Sequence, residues 1–130
     1  MTEWKEYKLG DVINFKRGYD LPNSKRKIGK YPIISSSGIT DYHIDYMKEA
    51  PGVVTGRYGT IGKVFYTEQP YWPLNTTLYI TDFKKNDPKF IFYFLQSFDF
   101  EKFSDKSTVP GINRNHLHTE EVTIPSLPKQ

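Results

Sequence analysis

Arg57, Tyr58 and Thr60 lie among three glycines in the stretch Gly56-Arg57-Tyr58-Gly59-Thr60-Ile61-Gly62-Lys63. A guanidinium, a phenol and a hydroxyl all donate hydrogen bonds, and closely spaced glycines let a backbone turn sharply while carrying such groups outward. The stretch does not fit a phosphate-binding P-loop. That loop needs a second glycine where Ile61 stands, and a Ser or Thr after the lysine where Val64 stands. It does not fit a dinucleotide fingerprint, because strand-like sequence flanks it on both sides rather than a helix. The short G-x-x-G loop of KH domains joins two helices and fails for the same reason. Two readings stay open: a plain glycine-rich hairpin, or a hairpin whose Arg57, Tyr58 and Thr60 reach toward a nucleic acid.

Other short polar clusters have the same capacity. Asn113 and Arg114 follow Pro110-Gly111; arginine bonds well to guanine edges and asparagine to adenine edges. Ser36 and Ser37, and further on Asn75 and Thr76, sit where strands are expected to end. Such side chains donate to phosphates or read base edges, and they are also the usual residues of turns. Lys25, Arg26, Lys27 and Lys30 form a basic cluster. It offers point charges to phosphates, or it is a solvated surface loop.

No grouping suited to making or breaking bonds accompanies them. The chain has no cysteine, so thiolate metal sites and Cys nucleophiles are excluded. His116 and His118, with Glu120 and Glu121 nearby, lack a recognisable ligand spacing. Nothing resembles the G-x-S-x-G nucleophile turn, and there is no Asn-Pro-Pro-Tyr or Asp-Pro-Pro-Tyr stretch of the kind amino-methyltransferases use. The expectation is a binding protein with no catalytic residue, no metal and no cofactor of its own.

The elements that must position these residues follow from pattern. A length of 130 residues indicates one domain. Leu9 to Phe15 reads as a first strand, Asp20 to Lys30 as an exposed irregular segment, and Tyr31 to Ser35 as a short strand ending in turn residues. Val53-Val54-Thr55 and Ile61 to Thr67 read as the arms of a hairpin, with Val64 and Tyr66 on one face and Lys63 and Phe65 on the other. Thr77 to Phe83 alternates again. The one clear helix spans Pro88 to Phe103: Asp87 is placed as N-cap, Pro88 at the first turn, and Ile91, Phe94, Leu95 and Phe98 form its apolar stripe. A last short strand covers Val122 to Ile124. The class is α+β, with several short, mostly antiparallel strands around one main helix. Aromatic residues at 16% are expected to supply much of the core.

The net charge is +3. Residues 1–66 carry 11 Lys/Arg against 7 Asp/Glu, a net +4, and residues 67–130 carry 7 against 8, a net −1. A basic patch on a near-neutral body suits a nucleic-acid partner. No apolar run approaches the roughly 20 residues of a membrane span and the N-terminus lacks a secretion-signal order, so the expected location is the cytoplasm.

Four segments in order carry a further signal: Val54 to Val64, Tyr71-Trp72-Pro73-Leu74-Asn75-Thr76-Thr77, Val109-Pro110-Gly111-Ile112-Asn113-Arg114, and Ile124-Pro125-Ser126-Leu127-Pro128. With Trp4-Lys5-x-x-Lys8-Leu9-Gly10-Asp11-Val12, Phe15-Lys16-Arg17-Gly18 and Pro32 to Ile39, they resemble the target recognition domain of the DNA specificity subunit of type I restriction–modification enzymes over nearly the whole chain. The resemblance implies a non-catalytic domain spanning residues 1–130, ending where that family's spacer helix would begin. It implies sequence-specific binding of duplex DNA. Adenine methylation and cleavage then fall to partner subunits, namely a modification subunit and, indirectly, a restriction subunit. S-adenosylmethionine, ATP and Mg are implied for those partners only. A second copy, or a second half of the specificity subunit, would read the other half of a split target. Phosphate contacts are expected from Lys25, Arg26, Lys27 and Lys30, and base readout from Ser36, Ser37, Arg57, Tyr58, Thr60, Asn75, Thr76, Asn113 and Arg114. The alternatives are a single-stranded nucleic-acid module, in which Tyr and Phe stack on bases, and a domain that only docks proteins.

Overall fold

The computed structural model describes residues 4–57, 62–98, 118 and 121–125. Strand β1 (Trp4–Lys8) pairs antiparallel with β9 (Glu121–Pro125), bringing the two ends of the described chain together. A four-stranded antiparallel sheet runs in the order β2 (Asn14–Arg17), β8 (Thr77–Asp82), β5 (Gly52–Gly56), β6 (Val64–Thr67). A three-stranded sheet sets β3 (Ile28–Ser35) between β4 (Gly38–His43), its antiparallel hairpin partner, and the short parallel β7 (Trp72–Pro73). The main helix α2 spans Pro88–Gln96. The α+β class and its mostly antiparallel strands match the sequence reading.

Alternation along the strands explains the layering. Phe15, Val53, Leu78 and Ile80 point to one face of the four-stranded sheet and pack with Ile91 and Leu95 of α2. Val54 and Tyr79, their neighbours in sequence, face the other way and pack with Ile34 and Tyr71. Ile33, next to Ile34 on β3, turns outward again to Leu21 and Leu74. Helix, four-stranded sheet and three-stranded sheet therefore stack in that order. Each fully buried Leu or Ile contributes about 1.5–3 kcal/mol to holding the layers together. The innermost side chains are mainly aliphatic, with Tyr71 and Phe15 as the aromatic members. Phe90, Phe92, Phe94, Phe98 and Tyr66 are only partly buried against them, so the aromatics mostly surround the core rather than fill it.

Three expectations are corrected. Leu9 to Phe15 is not one strand: β1 ends at Lys8, Leu9–Val12 makes a single helical turn (α1), and β2 begins at Asn14. Leu9, Val12 and Ile13 are all buried, a spacing that only a helical turn puts on one side, and the Ile13 N–H closes the turn on the Leu9 carbonyl at 3.0 Å. The helix expected over 88–103 stops at Gln96. Ser97 leaves it by donating its hydroxyl to the Phe94 carbonyl at 2.9 Å, and the N–H groups of Ser97 and Phe98 make tightened bonds to Phe94 and Leu95. Strand β3 starts at Ile28, so Lys30 lies within a strand and the irregular segment is shorter than expected. The start of α2 is as read: Asp87 accepts the Lys89 N–H at 3.0 Å, with Pro88 in the first turn.

Candidate nucleic-acid interface

The β3–β4 hairpin turns through Ser36-Ser37, and Gly38 follows with φ of +121°, a backbone conformation suited to glycine. Ser37 is exposed, and its hydroxyl and N–H both bond the Ser35 hydroxyl, at 3.0 and 3.2 Å. Ser36 is nearly buried. On the neighbouring sheet, β5 ends at Gly56 and Arg57 follows, half-buried. Between β7 and β8 the turn Leu74 to Thr77 closes on itself: the Thr77 N–H and hydroxyl both donate to the Leu74 carbonyl, at 2.9 and 2.7 Å.

Thr76 joins these three segments into one rim. Its hydroxyl oxygen accepts the Ser36 N–H at 3.3 Å, and its carbonyl accepts the Arg57 N–H at 2.9 Å. The Leu74 N–H donates to the Ile34 carbonyl at 2.9 Å, fastening the turn to β3. Ser36, Ser37, Arg57, Asn75 and Thr76 are thus brought together from separate parts of the chain. Tyr58 and Thr60 lie outside the described residues, as do Asn113 and Arg114.

The basic cluster is elsewhere. Lys25 ends a 3-10 turn (Asn23–Lys25), the Arg26 guanidinium donates from Nε to the Leu21 carbonyl at 3.1 Å, and the Lys27 N–H donates to His43 Nδ1 at 3.0 Å. Lys30 lies 5.3 Å from the centre of the Tyr31 ring. Ile28 faces His43 and Ser35 faces Gly38, so the cluster occupies the opposite end of the hairpin from the Ser36-Ser37 turn. At a rise of about 3.3 Å per residue, the length of β3 separates the two by roughly 20 Å. Lys25, Lys27 and Lys30 are exposed and make no salt bridge among the described residues.

Sequence reasoning left out a fourth segment. After β2, the Gly18 N–H donates to the Thr77 carbonyl at 3.0 Å and the Tyr19 N–H to the Pro73 carbonyl at 2.8 Å. Tyr19 therefore lies against the turn that carries Asn75 and Thr76, while Arg17 and Lys16 pair with Leu78 and Tyr79 just after it on β8. The approach is so close that a Cβ on Gly18 would stand 2.0 Å from the Leu74 carbonyl oxygen. The Lys16 ammonium donates to the Tyr19 hydroxyl at 3.2 Å, and the hydroxyls of Tyr19 and Tyr79 are 2.7 Å apart. The hydrogen bond with Tyr79 holds the Tyr19 phenol below the ordinary tyrosine value, while burial pushes Tyr79 well above it. The signal available in sequence was the basic pair Lys16-Arg17 before Gly18, but nothing local ties it to residues near 75.

His118 is a packed residue: its Nε2 accepts the Phe15 N–H at 3.0 Å and its ring stacks on Phe15. Among the described residues no group of His, Cys, Asp or Glu is arranged to hold a metal ion, and no helix is long and apolar enough to cross a membrane.

Comparison with known proteins gives this rim a context. The chain is 27% identical over 146 residues to the protein named type I specificity subunit S.MpnORF89P of Mycoplasma pneumoniae, covering 100% of this chain and 42% of that one. It is 28% identical over 137 residues to S.MpnORF507P, named likewise and from the same organism, covering 98% and 37%. It thus spans about two fifths of the length of these relatives. Its fold is similar to that of the type I restriction–modification S subunit of M. genitalium, with a TM-score of 0.81 at 17% identity over 95% of this chain and 34% of the other. It is also similar to the HsdS subunit of Thermoanaerobacter tengcongensis, with a TM-score of 0.73 at 14% identity over 97% and 34%. The family described as "Type I restriction modification DNA specificity domain" matches residues 1–130, and the chain belongs to that family.

Proposed function

We propose that this chain binds duplex DNA in a sequence-specific manner as one target recognition domain of a type I specificity subunit, and that it is not itself catalytic. The observation that carries the reading is the rim: in a member of a DNA specificity family, Ser36-Ser37, Arg57 and Asn75-Thr76 converge from three separate turns and strand ends. A rigid edge of donors and acceptors on strand ends suits base-edge readout. Ser37, Arg57 and Asn75 are the readout groups among the described residues. Thr76, whose side chain and carbonyl both bond within the rim, holds the others in register. Tyr58, Thr60, Asn113 and Arg114 belong to the same readout set. Lys25, Arg26, Lys27 and Lys30 meet phosphates at a second position along the duplex.

The chemistry on DNA belongs to partners: a modification subunit that methylates adenine with S-adenosylmethionine, and a restriction subunit that uses ATP and Mg. A second copy or second half of the specificity subunit reads the other half-site. The similarity to a structure described as "Structural basis underlying complex assembly andconformational transition of the type I R-M system", with a TM-score of 0.76 at 17% identity over 97% of this chain and 35% of that one, is consistent with a place in such an assembly. The cytoplasm, where its DNA lies, is the proposed location.

The test is competitive selection from a random duplex library at two salt concentrations. An enriched short motif that survives the higher salt is the expected result. Arg57→Ala is expected to cost about 1–3 kcal/mol of binding and to relax preference at one base position. Binding without any enriched motif, lost steeply as salt rises, would sink the reading, because phosphate attraction alone behaves that way.

A further inference from the structure

The Tyr19 hydroxyl lies between two partners, an exposed lysine and a buried tyrosine. A phenolic oxygen accepts through two lone pairs and donates one proton. A lysine ammonium can only donate, so the Lys16 contact at 3.2 Å takes one lone pair of the Tyr19 oxygen. Tyr79 is buried, and its hydroxyl lies 2.7 Å from that of Tyr19. Either hydroxyl of this pair can donate to the other, and in one of the two arrangements Tyr79 is the donor. The second lone pair is then taken. In that arrangement the Tyr19 proton is left for a further acceptor, beside the exposed Lys16 ammonium.

We infer that Lys16 and Tyr19 form a phosphate-binding corner that grips the DNA backbone next to the readout rim. A phosphodiester oxygen accepts from the Lys16 ammonium and selects the arrangement in which Tyr79 donates to Tyr19 and the Tyr19 proton turns to the ligand. The corner cannot shift relative to the rim. Tyr19 is bonded through its N–H to Pro73, its carbonyl accepts the Trp72 indole N–H at 3.1 Å, and Gly18 is bonded to Thr77. A backbone contact fixed to the turn that carries Asn75 and Thr76 sets the register at which that turn meets base edges. The inference rests on the duplex-binding reading above. It adds a phosphate contact much nearer the rim than the Lys25 to Lys30 cluster.

The test measures affinity of the 130-residue chain for a random-sequence duplex across a salt series. Lys16→Gln is expected to weaken binding about tenfold at low salt on every sequence and to shallow the salt slope by about one. Lys16→Arg is expected to restore the slope. Tyr19→Phe is expected to weaken binding by roughly tenfold with the slope unchanged, since it removes a donor but no charge. A merely structural role for Lys16 would move the unfolding midpoint and leave the slope alone. Unchanged affinity and slope in both Lys16→Gln and Tyr19→Phe, with wild type still binding duplex, would overturn the inference and leave the functional reading standing. Binding of inorganic phosphate at Lys16 with duplex affinity unaffected would overturn it too. Failure of the wild-type chain to bind any duplex at low salt would remove both.

Discussion

Thr76 shows how one small side chain sets the geometry of a larger site. Its hydroxyl and carbonyl accept from Ser36 and Arg57, which ties it to both neighbours and leaves its hydroxyl proton to donate. What it does is hold two strand ends at a fixed separation. Tyr71 poses the opposite question at the same scale. It is fully buried, edge-on to Tyr79, and its hydroxyl has no hydrogen-bond partner among the described residues. Burying a hydroxyl without a partner costs about 1–3 kcal/mol. Tyr71→Phe is therefore expected to leave stability unchanged or to raise it by up to about 1 kcal/mol; a loss larger than that would mean the hydroxyl is satisfied. Burial pushes the Tyr71 phenol well above its ordinary value, and the sign follows from that. The folded state holds the proton more tightly than the unfolded state, so this stabilisation is complete below about pH 10 and is lost as pH rises above it. Urea midpoints measured from pH 9 upward are expected to fall steeply in the wild type and less steeply in Tyr71→Phe. Parallel curves for the two proteins would assign the alkaline loss to other groups, Tyr79 first.

At the scale of elements, α2 is the piece most completely encoded locally. Asp87 caps it, Pro88 occupies the first turn, and Ile91 and Leu95 fall on the buried side. Asp87→Ala is expected to cost about 1 kcal/mol by denaturant unfolding, and a change under a few tenths would show that packing on β6 and β5 alone holds the helix. The same locality explains what the sequence showed and what it hid. Leu78 and Ile80 fall on one face of β8 by the period of two, and Tyr79 between them is buried as well because the strand has a core on each face. Leu9 to Phe15 reads as a strand because Leu9, Ile13 and Phe15 also sit at even spacing; the burial of Val12 beside Ile13 is what betrays a helical turn, and burial is a tertiary fact. The apolar stripe reads past the end of α2 because Phe98 continues it beyond Ser97, where the backbone has already left the helix. The rim was half visible. Its polar residues stood out by type, but that Ser36, Arg57 and Thr76 meet, and that Tyr19 leans on Leu74, depends on pairings between distant strands that no local pattern encodes.

At the scale of the whole molecule, positive charge is divided between two places roughly 20 Å apart on the length of β3. Lys16, Arg17 and Arg57 attend the rim, and Lys25, Arg26, Lys27 and Lys30 occupy the far end of the β3–β4 hairpin. A duplex rises 3.4 Å per base pair, so the separation corresponds to about six base pairs. The two regions thus answer to different lengths of DNA. Arg26 is a poor probe of the distal region, because its Nε is committed to the Leu21 carbonyl and its loss would also loosen the loop. Lys25 and Lys27 are exposed and make no salt bridge among the described residues, so replacing both by Gln removes charge with little structural cost. The double variant is expected to bind a long duplex more weakly on all sequences alike, with the salt slope shallower by about two and the selected motif unchanged. On a duplex only long enough to cover the rim it is expected to match wild type. Equal loss on short and long duplexes would place the cluster against the rim-proximal phosphates instead, and an altered motif would make it part of base readout. Either result would require the DNA to run across the hairpin rather than along it.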